Sequence, residues 1–429
     1  MFLFVSDRGR EIRRSHAADV LPTLPPFSEI REGPARLLWA ADGFTSVRED
    51  GASVLVECKR PLDERPICSL RWNRRTQEIS MRRRWSGELG IYVSKKPPLV
   101  AASHLKLATR VLGMAPGSLR RLPPGHSLGA SCGGPASPRL RRETTFYGRF
   151  DHTYEEAVVA VRERLCRSVA TLSGSVALLL SGGIDSSAIA AAAHLTGTPI
   201  EAFVFTLQPP LWEQSFEESD LLCARRVAEH LDLELTEIPV RDEELVENVP
   251  PAIYLAETPR GTIIDECAAM IPVARILAER GFDTVAMGES GDDLFGGFKF
   301  VLRYYRGAQL RKYYRHSLSI DIPDELMVLQ NVLQPWKLSL VDPFWTRPLM
   351  QIGYNLPLRY RVDKARLLKT VLRDAFADAL PPEIVSRPKC VLRDSTQVRY
   401  LLEKHFGRSR ERYRPIFKEV MANGLRNSA

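Results

Sequence analysis

Apolar and polar positions along this chain fall into two regimes that meet at residues 129–144. Before them the pattern alternates in short runs, such as Ala52-Ser53-Val54-Leu55-Val56 and Leu89-Gly90-Ile91-Tyr92-Val93, punctuated by Gly and Pro. A period of two marks half-buried strands, so the first part is predicted to be strand-rich. The stretch 129–144, GASCGGPASPRLRRET, has no periodicity and is rich in Gly, Pro, Ser and Arg, which reads as an interdomain linker. After it Tyr154, Val158, Val161, Leu165 and Val169 recur at helical spacing. From there strands and helices alternate. Strands are predicted at 176–180, 200–207, 233–240 and 283–288, helices over 219–233 and over 265–281 up to Gly281. Such alternation predicts a parallel sheet flanked by helices. The C-terminal third, including 363–383, reads as helical with Pro381-Pro382 as the stop.

Size and composition narrow the class. The chain has 429 residues, enough for two domains, and 44% apolar with 26% charged residues describes an ordinary globular protein. No apolar run reaches membrane-spanning length and the opening MFLFVSDRGREIRR is too short in apolar residues for a secretion signal, so a cytoplasmic location is expected. The 7 cysteines show no paired or metal-ligand spacing, which fits free thiols in a reducing compartment. Against 52 acidic residues stand 60 Lys and Arg, a net charge of +8. Short basic runs such as Arg82-Arg83-Arg84 are more often solvated faces than nucleic-acid sites, so a nucleic-acid partner is not expected.

The chemistry concentrates in two turns. In VALLLSGGIDSSAIAAAA, residues 176–193, a buried strand runs into Ser181-Gly182-Gly183-Ile184-Asp185-Ser186-Ser187 and then into a helix read over Ala188 to Ala193. Paired glycines admit close approach to the backbone, and hydroxyls with free amides at a helix start supply donors for an anion. No Lys closes the loop as in the Gly-Lys-Ser/Thr nucleotide motif, and Gly-x-Gly-x-x-Gly is absent. An Asp inside a phosphate cradle repels its ligand unless a cation lies between, so Asp185 points to Mg²⁺. The second turn, GESGDDLFGGF at 288–298, repeats this logic after the strand ending at Met287, with Glu289, Asp292 and Asp293 as its acids. On neighbouring strands the two turns would hold Mg²⁺ between Asp185 and Asp292.

These turns resemble those of the asparagine synthetase superfamily of ATP-pyrophosphatases. Ser181 to Ser186 match the family's Ser-Gly-Gly-x-Asp-Ser loop residue for residue. Gly288 to Gly297 meet its Gly-Glu-Gly-Ser-Asp-Glu-Leu-Phe-Gly-Gly turn, with Ser290-Gly291 inverted and Asp293 where Glu is usual. VDPFW at 341–345 is similar to its Val-Pro-Phe-Leu-Asp turn, and SRPKCVL at 386–392 to its Arg-x-Lys segment. The resemblance covers roughly residues 150–395. More weakly, 89–108 and 122–128 resemble the last strands of the family's glutaminase domain, with Ser103-His104-Leu105-Lys106 where Ser-Glu-x-Lys is typical. Position 2 is Phe2 where those glutaminases carry a cysteine nucleophile, so no glutamine hydrolysis is expected. The implied organisation is a degenerate glutaminase-like domain at 1–130, a linker at 131–148 and an ATP-pyrophosphatase domain of parallel-sheet α/β class at 149–429.

The resemblance implies adenylation of a carboxylate by ATP with release of pyrophosphate, then attack by an amine to give an amide and AMP. It places ATP against Leu180, Ser181, Gly182, Gly183, Asp185, Ser186, Ser187, Leu207, Met287 and Gly288, with Mg²⁺ on Asp185 and Asp292. Lys389 would stabilise charge in both transition states, and Glu289 would orient or deprotonate the amine. With no ammonia made here, the amine belongs to the substrate, which points to macrolactam cyclisation of the lasso-peptide kind. The substrate is then a peptide or small-molecule carboxylate, and a precursor-peptide protease is the implied partner. Ammonia-dependent amidation of a small carboxylate is the first alternative. A tRNA-modifying pyrophosphatase is the second, disfavoured because the second turn and Arg-x-Lys match asparagine synthetases.

Overall fold

The fold was analysed in a computed structural model that describes residues 1–6, 27–32, 35–40, 45–58, 66–96, 98–132, 139–142, 148, 150–298, 301, 307–362 and 368–425. The alternating first part folds into two antiparallel six-stranded sheets. One runs in the order Leu119–Arg121, Tyr92–Ser94, Val100–Ala102, Phe2–Val5, Ala35–Trp39, Ser28–Glu32. The other runs Arg139–Arg142, His126–Ser131, Glu78–Arg83, Cys68–Asn73, Ser53–Cys58, Thr45–Asp50. Period two decides their packing. Phe2 and Phe4 share a core with Val54, Val56, Leu70 and Trp72, while Leu3 and Val5 face the opposite way into a core that also holds Leu165, Val176 and Leu178. Within the stretch read as a linker, Gly129–Ser131 and Arg139–Arg142 are ladder residues, paired as Leu128 with Leu140 and Gly129 with Arg139. Residues 133–138 lie outside the described residues.

The second part is the expected parallel sheet. Its five strands lie in the order Leu235–Val240, Glu201–Leu207, Val176–Leu179, Thr284–Ala286, Ser339–Val341, and every pairing is parallel. Pro239, which cannot donate to a ladder, sits in the edge strand. From the central strand Val176–Leu179 the chain first winds outward on one side and then crosses to Thr284–Ala286 on the other. The order therefore reverses between these two strands, which opens a crevice beyond their carboxyl ends.

Helices cover the sheet. Tyr154–Val169 starts from a capping box, with Thr153 and Glu156 each accepting from the other's backbone N–H (3.2 and 2.8 Å), and buries Ala157, Val161, Leu165 and Val169. The helix read as beginning at Ala188 begins at Ile184, so Asp185, Ser186 and Ser187 form its first turn rather than a loop. In the stretch read as helical over 363–383 with Pro381-Pro382 as the stop, the helix is the shorter Thr370–Ala375, and Pro381-Pro382 opens a new helix, Pro382–Ser386, since proline suits the first helical position as well as it stops a preceding one. Residues 363–367 lie outside the described residues. No helix among the described residues is long and apolar enough to cross a membrane.

Candidate functional site

Both acidic turns leave the two strands that flank the crevice. After Val176–Leu179 the chain passes through Leu180 and Ser181 to Gly182, whose φ of +64° is left-handed. A Cβ there would also lie 2.3 Å from Cys223 Cβ, so glycine is required twice over. The helix Ile184–Thr196 has no side-chain cap at its start, which leaves its first amides facing the crevice. Local hydroxyls set the loop: Ser186 Oγ accepts from Ser181 N at 3.1 Å and donates to Gly183 O at 3.2 Å, and Ser181 Oγ accepts from Gly183 N at 3.3 Å.

The second turn packs directly on the first. A Cβ on Gly291 would come 2.3 Å from Asp185 Oδ1, and one on Gly297 would come 1.9 Å from Asp292 Oδ1. These glycines let the two aspartates lie close together. Ser290 N donates to Asp342 Oδ2 at 2.7 Å and Phe344 N to Asp342 Oδ1 at 2.9 Å, so the VDPFW turn holds the second acidic turn in place. Burial pushes the Asp342 carboxyl up to about 7.

Asp185 and Asp292 converge on a cation that the sequence reading did not contain. Expected between them was Mg²⁺; the structure places Lys369 Nζ there, ion-paired with Asp185 Oδ2 and Asp292 Oδ1. Two carboxylates drawn together in a half-buried crevice need a counter-charge, and a lysine ammonium supplies it. Lys369 has a left-handed backbone (φ +61°), a costly conformation for a residue with a Cβ, and its N–H donates to Arg361 O at 2.7 Å. Lys389 Nζ reaches Asp292 Oδ2 at 2.6 Å. Burial works against the ionised Asp292, but the Lys369 and Lys389 ammoniums outweigh it and hold its carboxyl well below the usual range. For Lys389, burial is likewise overcome by Asp292 and Asp185, which keep its ammonium charged.

Two arginines lock these lysines to the loop. Arg387 Nη1 donates to Ser181 O, its Nε to Glu217 O and its Nη2 to Asp220 Oδ1, each at 3.0 Å. Arg373 donates to Leu368 O at 2.7 Å, to Arg387 O at 2.9 Å and to Val385 O, which ties the segment before Lys369 to the segment before Lys389. Neither Lys369 nor Arg373 had a motif signal in a stretch that reads as an ordinary helical surface, and Arg387 stood only as the first residue of the Arg-x-Lys segment; the fold brings all three to the crevice.

The cleft wall takes Leu180, Ser181, Gly183, Asp185, Ser186, Met287, Gly288, Glu289, Asp292 and Lys389 from the expected set. Gly182 and Ser187 lie behind it, Ser187 fully buried. Leu207, expected against the nucleotide, is buried outside the cleft lining, and Phe205, its same-face neighbour two residues earlier, lines the cleft instead. Glu266, on the helix Gly261–Glu279, joins Glu289 in the lining. Burial, with Glu325 adding repulsion, pushes the Glu266 carboxyl up to about 7. Burial, with Glu266 and Glu325 adding to it, pushes Glu289 well above the carboxylate range.

Among the described residues no group of three or more His, Cys, Asp or Glu gathers as a metal-ligand set. The residues nonetheless fit a Mg²⁺ that arrives with a phosphate ligand. Such an ion takes one or two carboxylates and completes its shell with phosphate oxygens and water, and Asp185 Oδ1 is buried without a hydrogen-bond partner beside the loop.

A sheet with a switch-point crevice, a Ser-Gly-Gly-x-Asp-Ser loop and a lysine-bridged pair of aspartates define a nucleotide-site architecture. Residues 160–340 and 331–421 match the asparagine synthase family model, more than half of the chain, and the protein belongs to that family. It is 30% identical over 246 residues to the carboxyethyl-arginine beta-lactam-synthase of Streptomyces clavuligerus, covering 54% of this chain and 44% of that protein. To asparagine synthetase [glutamine-hydrolyzing] 1 of Lotus japonicus it is 26% identical over 259 residues, covering 56% and 41%. The chain thus spans less than half the length of these relatives. A solved NMN synthetase from Francisella tularensis aligns over 65% of this chain and 99% of its own at 14% identity, with a TM-score of 0.28 that carries no argument.

Proposed function

We propose that the protein is an ATP-dependent ligase that activates a carboxylate as its adenylate and joins it to an amine as an amide. The observation that carries this reading is the meeting of Lys369 and Lys389 on Asp292 beside the Ser181–Ser187 loop, inside a chain of the asparagine synthase family. The loop amides and the two ammoniums would bind the phosphates and neutralise the pyrophosphate that leaves when a carboxylate oxygen attacks the α-phosphorus. Asp185 and Asp292 would hold Mg²⁺, which supplies Lewis-acid charge to the phosphate oxygens when bound. Leu180, Phe205, Met270, Val273 and Met287 give an apolar wall suited to adenosine. The amine must lose a proton to attack the acyl carbon as AMP departs. Glu289 and Glu266 would take it, since carboxylates with raised proton affinity act as bases near neutral pH.

The finer reading is that the amine belongs to the same substrate and that the product is a macrolactam, as in lasso-peptide cyclisation. The relative named as a beta-lactam-synthase supports it, because a lactam is an amide closed within one molecule. So does the first domain. Cys58 and Cys68 face each other in register inside its core, and the hydrogen bond between them, together with burial, pushes the Cys68 thiol well above its usual range. A thiol held protonated is a poor nucleophile for glutamine hydrolysis. Partner proteases follow only from this finer reading.

The test is pyrophosphate release from ATP and Mg²⁺ with a panel of free amino acids and of short peptides bearing Asp or Glu. Release that requires a carboxylate supports the ligase, and release with peptides that also yields a product lighter by one water supports the macrolactam. Carboxylate-independent release, or none with any member of the panel, rejects the activity.

A further inference from the structure

Away from the nucleotide cleft, a second recess opens where the sandwich meets the segment that follows the second acidic turn. Trp85, Pro124, Gly125, His126 and Arg142 line it from the first domain, and Lys312, Arg315, His316, Leu318, Ser319, Ile320 and Tyr354 from the second. The charge is of one sign. Arg142, Lys312, Arg315 and His316 are exposed at the recess, and among the described residues that line it there is no carboxylate. Asp321 lies 3.5 Å from His316. Lys312 makes no ion pair among the described residues.

Its floor is fixed rather than collapsible. Trp85 packs against Trp345 with ring centroids 6.0 Å apart, and Trp345 Nε1 donates to Ser86 O at 2.9 Å. Tyr354 Oη and Ser319 Oγ are 2.7 Å apart, and His126 Nδ1 lies 2.8 Å from Pro124 O. The recess is also wired to the catalytic turn: Ser317, between the basic helix Gly307–His316 and Ser319, donates to the buried carboxyl of Asp293, the neighbour of Asp292.

We propose that this recess docks an acidic segment of the peptide substrate, with its carboxylates on Arg142, Lys312 and Arg315 and its apolar neighbours against Trp85 and Tyr354. The identity of the ligand rests on the peptide-substrate reading above. Docking here holds a peptide by charge at a place joined to the active turn, so the reacting residue is delivered to the cleft from a fixed anchor. A nucleic acid would use basic side chains in a stripe with aromatic rings presented flat for stacking. Here the cations ring one recess and both rings are tied down by their own neighbours.

The experiment measures fluorescence anisotropy of a labelled hexaglutamate peptide on the full chain without ATP, against hexaglutamine and a uridine hexanucleotide of the same label. Hexaglutamate should bind, weakening as salt is raised, with hexaglutamine at least about tenfold weaker. The double variant Lys312→Glu/Arg315→Glu should lose at least about tenfold in affinity. Arg167→Glu, which reverses an exposed charge on the helix Tyr154–Val169, should change it less than about twofold. Thermal melting of both variants confirms that each is folded. Unaltered hexaglutamate affinity in the folded double variant, no binding to the native chain, or tighter binding of the uridine hexanucleotide overturns the proposal. Pyrophosphate release is scored separately. Binding that depends on Lys312 and Arg315 without any release removes the ligase reading and leaves an anion-binding recess, and release without such binding does the reverse.

Discussion

At the scale of single residues, the proposed reaction would divide the charge of the cleft between two tasks. Lys389 meets Asp292, which would serve the phosphates, while Glu289 and Glu266 line the cleft with carboxyls that favour the proton. Lys389→Met should therefore cut carboxylate-dependent pyrophosphate release by at least about two orders of magnitude, as removal of one charge-stabilising group does in other active sites. Glu289→Gln should keep pyrophosphate release and lose amide formation. Rapid quench with labelled ATP, following both products, checks this, and equal loss of the two in Glu289→Gln places that residue on the ATP side. The Glu266 carboxyl pushed up to about 7 gives a sign for pH dependence. A base works when deprotonated, so amide formation should rise with pH through about 7 and level off above it, while the Glu266→Gln profile should lose that limb. An unchanged profile in Glu266→Gln removes it from proton transfer.

At the scale of elements, the loop after Val176–Leu179 is shaped by what cannot fit. Gly182 and Gly197 have nearly the same left-handed φ, +64° and +65°, yet a Cβ meets Cys223 at 2.3 Å in the first and nothing within 4 Å in the second. Gly197→Ala should cost about 1–2 kcal/mol from backbone strain alone. Gly182→Ala should cost about 2–4 kcal/mol, because overpacking adds to the same strain, and should also weaken ATP binding by displacing Ser181 and Gly183. Denaturant unfolding and nucleotide titration of the two variants check the contrast. The turn's composition was readable as a ligand loop because paired glycines, hydroxyls and an acid occur together after a buried run. Where its helix begins was not, since Ile184 to Ser187 suit a loop as well as a first helical turn, and the packing of Ile184 into the core decides it.

At the scale of the whole molecule, the antiparallel first part and the parallel-sheet second part are joined by buried polar contacts. Glu257 accepts from the backbone N–H of Leu105 and Lys106 at 2.8 and 2.9 Å and lies 3.6 Å from Lys106 Nζ, both side chains fully buried. Arg83, also buried, meets Asp324 at 3.2 Å, and Arg121 shares that carboxylate. Glu257→Ala would strand the Lys106 ammonium and two amides, and should destabilise the chain by about 3–5 kcal/mol. Urea unfolding followed by fluorescence checks this; a loss below about 1 kcal/mol would show that the junction is wetter than its burial suggests.

The sequence by itself determined the strand and helix alternation, the parallel sheet and the two acidic turns, because hydrophobic period and turn composition are local properties that survive any arrangement of distant parts. It also drew attention to Asp185 and Asp292 through the composition of their turns and to Lys389 through a family resemblance, and the fold brings these side chains together. It did not contain Lys369, whose residue type and surroundings are those of a surface helix and whose place between two aspartates exists only because Arg361, Arg373 and Arg387 fold that segment over the crevice. Nor did it contain the pairing of Arg139–Arg142 as a sheet edge or the basic recess against Trp85 and Tyr354. Contacts between residues far apart in the chain carry no local signature; they are decided when burial leaves a charge or a strand edge that must find a partner, and only the tertiary structure says which one it finds.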